Sequence, residues 1–218
     1  IGNQYFRYYK LANAEAITLS GQVSIRWIEN KMNQKINEIL KTEDVDYVIA
    51  SDTDSIYLNL GPLVEGVYKG REETDEVIVG FIDKVCSMEL EPYIESSYEA
   101  LAKYVNAYDQ KMFMKRETIA NKGIWTAKKR YILNAWDIEG VRFAEPKLKV
   151  MGIEAVKSST PGACRDKIRE CLKVIMNSDE EDAQKFIADF REEFYELPIE
   201  DIAFPRGCNG INLSLIHI

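Results

Sequence analysis

Asp52-Thr53-Asp54-Ser55 is the stretch whose residue types and spacing most directly suggest chemistry. Its two carboxylates stand two positions apart, between the apolar runs Tyr47-Val48-Ile49-Ala50 and Ile56-Tyr57-Leu58. In an extended chain alternate side chains share a face, so both acids would project together from a hairpin. Carboxylates that close repel one another unless a cation sits between them. A hard divalent ion such as Mg²⁺ takes oxygen ligands and keeps positions open for substrate phosphates. Such a site lowers the pKa of a hydroxyl and steadies a leaving pyrophosphate. The same residues also fit an Asx turn, with the carboxylates on backbone amides, and spacing leaves both readings open. A calcium loop of the helix-loop-helix kind is disfavoured, because its ligands and closing glutamate are missing at the required offsets.

A second stretch is cationic. Lys128-Lys129-Arg130-Tyr131 follows Lys122-Gly123-Ile124-Trp125 and runs into an apolar segment. Read as a strand, it puts Lys129 and Tyr131 on one face and Lys128 and Arg130 on the other, so one face can lie on phosphates. A solvated strand with Tyr131 and Trp125 in the core is the alternative. Lys147, Lys149 and Lys157 continue the positive character toward Ser158, Ser159 and Thr160. Those hydroxyls, ahead of a helix N-terminus, suit phosphate, although helix capping by Thr160 explains them as simply. Glu117, placed on the strand after Met114, is either a further cation ligand or a surface acid.

These groups need elements to position them. Ile17, Gly21, Ile25, Ile28, Met32, Ile36 and Ile39 recur every three or four residues and predict a helix over 13–40. Gly21 on that stripe would admit another backbone at close range. Two short strands then carry the acidic pair, and Gly61-Pro62 ends the unit. A helix is expected from residue 75 to about 88, with Pro92 interrupting or ending it before helix resumes through Tyr98, Leu101 and Val105. From 112 to 151 the pattern turns to strand, including Met112-Phe113-Met114, Tyr131-Ile132-Leu133, Val141-Arg142-Phe143 and Leu148-Lys149-Val150. A hairpin connection is expected at 137–140. Helices are expected again after Pro161, with Thr160 as cap, and from 180 to 197. The fold class is α+β: an antiparallel sheet with packed helices, leading into a mostly helical portion.

Bulk properties agree with a folded protein. The 218 residues are 46% apolar and 29% charged, enough for one or two compact units. No apolar run approaches the roughly 20 residues that cross a bilayer, so no membrane partner is expected and a cytoplasmic location is. Cys86, Cys164, Cys171 and Cys208, with His217, lack zinc spacing and read as reduced thiols. The net charge of −8 is unevenly spread: residues 111–169 hold 14 Lys plus Arg against 6 Asp plus Glu, a net of +8, leaving −16 elsewhere. A basic centre between acidic ends suits a grip on a polyanion through one face, or simply a solvated charge run.

Taken together the blocks resemble a family B DNA polymerase, and within it the T-even-like bacteriophage replicative enzymes. Asp52-Thr53-Asp54-Ser55 matches the family's DTDS metal motif, and Lys128-Lys129-Arg130-Tyr131 its KKRY motif, which meets DNA near the primer terminus. Gly2-Asn3 with Phe6-Arg7-Tyr8-Tyr9 is similar to the stretch beyond the nucleotide-binding helix. Lys147-Leu148-Lys149, Met151-Gly152-Ile153-Glu154 and Lys157-Ser158-Ser159-Thr160-Pro161 resemble the entry into the thumb. The blocks occur in family order.

The resemblance implies a partial palm over 1–150 and the start of a thumb over 151–206, with 207–218 a tail of no functional weight. It implies that Asp52 holds two Mg²⁺ ions, that Asp54 accompanies it less directly, and that Glu117 is an auxiliary palm acid. Lys128, Lys129, Arg130, Tyr131, Lys147, Lys149, Gly152, Lys157, Ser158 and Ser159 become contacts to primer–template DNA. The implied reaction adds a deoxynucleotide from its triphosphate to a primer 3′-OH, in a host cytoplasm if phage-encoded. A second principal carboxylate, the incoming-nucleotide helix, the exonuclease and most of the thumb are expected outside this chain. The isolated chain is therefore expected to be silent, its partners being the missing segments in cis or trans and a sliding clamp for the parent. A split-polymerase subunit and a noncatalytic DNA-binding module are the alternatives. An RNA-directed polymerase fits less well, since its paired aspartates are adjacent. Three departures stand out: Ser51 replaces the family's glycine, Ala50 an aromatic, and Lys115 an acid.

Overall fold

The computed structural model describes residues 2–207. The tail over 207–218, with Cys208 and His217, falls outside them except for Gly207. The fold is α+β, with antiparallel sheets and packed helices, as expected. The chain divides into two compact units. The first comprises residues 1–119 with 137–142, and the second residues 120–136 with 143–218.

The first unit begins with α1 (Leu11–Leu40). Ile28, Met32 and Ile36, spaced at three or four residues, are fully buried along its inner face. The N-terminal half of the expected stripe is not covered: Ile17, Leu19 and Val23 are exposed, and a Cβ on Gly21 would meet nothing. Gly21 therefore serves no close approach among the described residues. The helix stops at Lys41, which takes a left-handed φ of 56° and lets Thr42 donate to Asn37 O at 3.0 Å.

β1 (Val48–Asp52) and β2 (Ser55–Leu58) form an antiparallel hairpin, with Asp52 opposite Ser55 and a bulge at Ile49. Gly61-Pro62 does not end the unit. It opens α2 (Gly61–Tyr68), because proline at the first turn has a preset φ and its missing N–H is not needed there.

Pro92 does not break the next helix either. α3 (Asp75–Val85) passes through a π turn at Cys86–Leu90 into α4 (Glu91–Tyr104), with Glu91 N–H donating to Cys86 O. The wider turn accommodates the ring and the missing donor that would kink a regular helix. Cys86, Leu90, Ile94, Tyr98 and Leu101 thereby share one core with Met32 and Ile36.

Met112–Met114, expected as strand, is irregular. Arg116 fixes this approach instead: its guanidinium bonds Asp83 at 2.5 Å and also Asp137, while its N–H donates to Glu91 at 3.0 Å. Burial opposes the Arg116 charge, but the two carboxylates outweigh it and raise its pKa. Arg142 adds contacts to the same acids at 3.5 and 3.7 Å, so the nearly inaccessible Asp137 is paired from two sides.

β3 (Thr118–Ala127), β4 (Arg130–Ile138) and β5 (Val141–Met151) form a meander in the order β3-β4-β5. The expected connection at 137–140 is present as a tight turn, with Glu139 and Gly140 at positive φ. In the second unit a 3₁₀ turn (Glu154–Val156) leads to α5 (Gly162–Asn177), α6 (Glu180–Phe194) and α7 (Ile199–Ile202). Ile132, Ile153, Ala155, Leu172 and Met176 make its core. The cap of α5 is Pro161 rather than Thr160, and no side chain bonds there. Asp179 caps α6, accepting from Asp182 N–H at 3.0 Å.

Candidate nucleotidyl-transfer and DNA-binding sites

The acidic hairpin is built by its own backbone and by two asparagines of α1. Asn33 Oδ1 accepts from Tyr47 N–H at 2.8 Å and Val48 N–H at 3.0 Å. One helical turn on, Asn37 donates to Val45 O at 2.7 Å and accepts from Val45 N–H at 3.1 Å. Sequence reasoning missed both residues. Two amides spaced by four beside an apolar stripe were the available signal.

At the tip, Thr53 adopts a left-handed φ of 56°, and Asp54 N–H closes on Asp52 O at 2.6 Å. Ser55 Oγ also donates to Asp52 O, at 3.2 Å. Asp52 is therefore the last strand residue and Asp54 a turn residue, so the period-two argument for a shared face does not apply. Asp52 is half-buried and its Oδ1 accepts the Thr53 hydroxyl at 3.0 Å, whereas Asp54 is exposed at the tip. Ser51 pairs with Ile56 within the ladder.

Glu117 stands just before β3, exposed, with its carbonyl accepting Glu139 N–H at 2.6 Å. The structure joins Asp52 and Asp54 on one hairpin and leaves Glu117 apart from them. Among the described residues no three His, Cys, Asp or Glu side chains gather to hold a metal. The hairpin offers two hard oxygen donors, which fits Mg²⁺ in kind but makes only part of its coordination shell.

The cationic motif is not a strand. Lys128 and Lys129 form the turn between β3 and β4, and Lys129 takes a φ of 61°. Gly152 explains the turn's position: at φ 66°, a Cβ there would collide with the Lys129 carbonyl. Arg130 opens β4 and bonds Glu154 Oε2 at 2.6 Å, and Lys157 bonds Oε1 of the same carboxylate at 3.0 Å. Hydrogen bonding by Lys157, then by its own backbone and by Arg130, holds the Glu154 carboxyl down to about 2. Tyr131 packs near Trp125, ring centroids 6.4 Å apart.

Lys147 and Lys149 alternate on β5 with Leu148 and Val150, which pack on the core. Lys147 also lies over the Phe143 ring at 4.0 Å. Ser158 and Ser159 are exposed in the turn before α5. Lys122, by contrast, caps the C-terminus of α5 through Met176 O at 2.7 Å. The described cysteines carry free thiols, and burial pushes that of Cys86 up to about 11, far from nucleophilic use.

Over 97% of its length the chain is 39% identical to the DNA-directed DNA polymerase of Enterobacteria phage T4. Over the same share it is 42% identical to that of Escherichia phage RB69. The resemblance to T-even-like polymerases holds. The chain spans 24% of the length of these curated relatives, so it corresponds to part of such an enzyme. No family model matches the chain. No described helix is long and apolar enough to cross a membrane.

Proposed function

We propose that this chain is the palm and early-thumb portion of a template-directed DNA polymerase. The palm takes in the acidic hairpin and extends to about residue 150, and the thumb begins over 151–206. The carrying observation is the pair of carboxylates at a rigid hairpin tip, in a chain similar along nearly all its length to two phage DNA polymerases. Primer–template DNA and deoxynucleoside triphosphates are the substrates of the parent. The remaining polymerase segments, in cis or in trans, and a sliding clamp complete the assembly.

Asp52 and Asp54 would hold Mg²⁺, which when bound supplies Lewis-acid stabilisation of the charge that develops during phosphoryl transfer. Their roles follow from the hairpin. Asp52 is partly engaged by the Thr53 hydroxyl and shapes the turn, while the exposed Asp54 presents its carboxylate outward. Asp54 is thus at least as direct a ligand as Asp52, which departs from the order that the motif alone implied. Glu117 enters only as an auxiliary acid. Other ligands come from the rest of the parent and from the nucleotide phosphates, so the 218-residue chain alone does not extend primers.

In the second unit Lys128, Lys129 and Lys157, with Lys147 and Lys149, supply cations to the duplex backbone, whose contacts position DNA without reading its sequence. Tyr131, Gly152, Ser158 and Ser159 shape the same region.

Primer extension by the intact parent tests this reading. Asp54→Ala and Asp52→Ala should each reduce the rate about 10³-fold, equivalent to about 4 kcal/mol. Robust extension after either change would overturn the assignment. Extension by the purified 218-residue chain, abolished by Asp52→Ala, would overturn its predicted silence.

A further inference from the structure

We infer that Glu154 is a positioning residue for the DNA-binding cations, an acid placed among them to fix Arg130 and Lys157 in one arrangement. The inference rests on the duplex-binding reading of the cationic turn. An unpaired acid there would repel phosphate, and a residue recruited only for charge would be basic. The geometry gives Glu154 another task. Its two carboxylate oxygens are divided, one to Arg130 at 2.6 Å and one to Lys157 at 3.0 Å. These partners lie 24 and 3 residues away, on the first position of β4 and beyond the 3₁₀ turn.

Glu154 is itself fixed. It starts the 3₁₀ turn between Ile153 and Ala155, both buried in the second unit's core. Two residues earlier, the left-handed Gly152 brings this segment against the Lys129 carbonyl. The backbone of the cationic turn and the guanidinium that follows it are therefore both located by residues 152–154. Long cationic side chains lose rotamer freedom when they order on a phosphate, and an acid that orders them beforehand reduces that loss.

Electrostatics and positioning predict opposite signs. Removing a negative charge beside a polyanion should tighten binding if charge alone matters. If Glu154 acts by positioning, its neutralisation should weaken binding although the protein becomes more positive.

The test is primer–template affinity of the intact protein by fluorescence anisotropy, with thermal unfolding as a fold control. Glu154→Gln, a near-isosteric change at a half-exposed site, should weaken duplex binding about threefold. Glu154→Asp should restore part of the loss. In an Arg130→Ala, Lys157→Ala background the Glu154→Gln effect should vanish. Unchanged or tighter binding by Glu154→Gln, while Lys129→Ala and Lys157→Ala weaken it, would overturn the inference alone. So would an equal Glu154→Gln loss in the doubly substituted background. If none of the cation substitutions weakens binding, the duplex-binding reading fails and the inference falls with it.

Discussion

The two functional turns solve the same geometric problem in different ways. Each is a tight hairpin connection in which a residue other than glycine takes a left-handed conformation, Thr53 at 56° and Lys129 at 61°. The acidic turn is closed from within: a backbone bond, the Thr53 hydroxyl and the Ser55 hydroxyl all converge on Asp52. The cationic turn is located from outside, by Gly152 and Glu154 more than 20 residues downstream. A pair of carboxylates that must meet a metal benefits from short, local restraints. Flexible amines that meet a phosphate chain gain their order from a separate platform.

The largest expected effect tests the chemical side of this contrast. Asp54→Ala should lower primer extension about 10³-fold while leaving the melting temperature of the parent unchanged, because the side chain is exposed at the tip. A matching loss of stability would mean that Asp54 builds the turn.

Next come the supports. Gly152→Ala should cost about 2 kcal/mol in denaturant unfolding, from the unfavourable φ and the collision with the Lys129 carbonyl. Asn33→Ala should cost about as much, roughly 2 kcal/mol, by leaving the Tyr47 and Val48 amides without their acceptor. Only the first should weaken duplex binding, and only the second should slow extension at saturating DNA. If each impaired both properties equally, the contrast between the turns would be lost.

A smaller effect sharpens the similarity. Lys129→Gly should fold about 1 kcal/mol more stably than Lys129→Ala, yet weaken duplex binding to the same degree. The corresponding pair at Thr53 should show a similar gap in thermal unfolding.

The smallest effect is a pH dependence. The folded pKa of Glu154 lies below its ordinary value, at about 2, so its contribution is complete above about 4.5 and fades as pH falls toward 2. Duplex affinity should accordingly show no titration from this group between pH 6 and 9. A Glu154-dependent step in that range, absent from Glu154→Gln, would contradict the pairing.

The same contrast explains what was legible in the residues themselves. The acidic hairpin could be found because apolar runs flank it and its turn is local. Its lead carboxylate could not, since a strand period was applied to Asp54, which lies in the turn. The cationic motif carried no glycine, asparagine or proline to mark a turn, and its restraint comes from Gly152, far along the chain. α1 was legible from its stripe, although only the part from Ile25 onward is covered. Pro62 and Pro92 were misread for one reason: proline was taken as a stop, when it is also compatible with a helix's first turn or a widened one. Met112–Met114 has strand-like residues, but anchoring at Arg116 holds the segment outside any ladder.

The π turn at Cys86–Leu90 makes chain length in this segment a matter of rotational phase. Deleting one residue there would restore a regular helix and turn everything after it by about 100°. Ile94, Tyr98 and Leu101 would swing away from the core, and Glu95 and Glu99 would roll toward it. A one-residue insertion or deletion should thus be ruinous between residues 86 and 90, yet tolerable in the exposed run 105–109 just beyond α4.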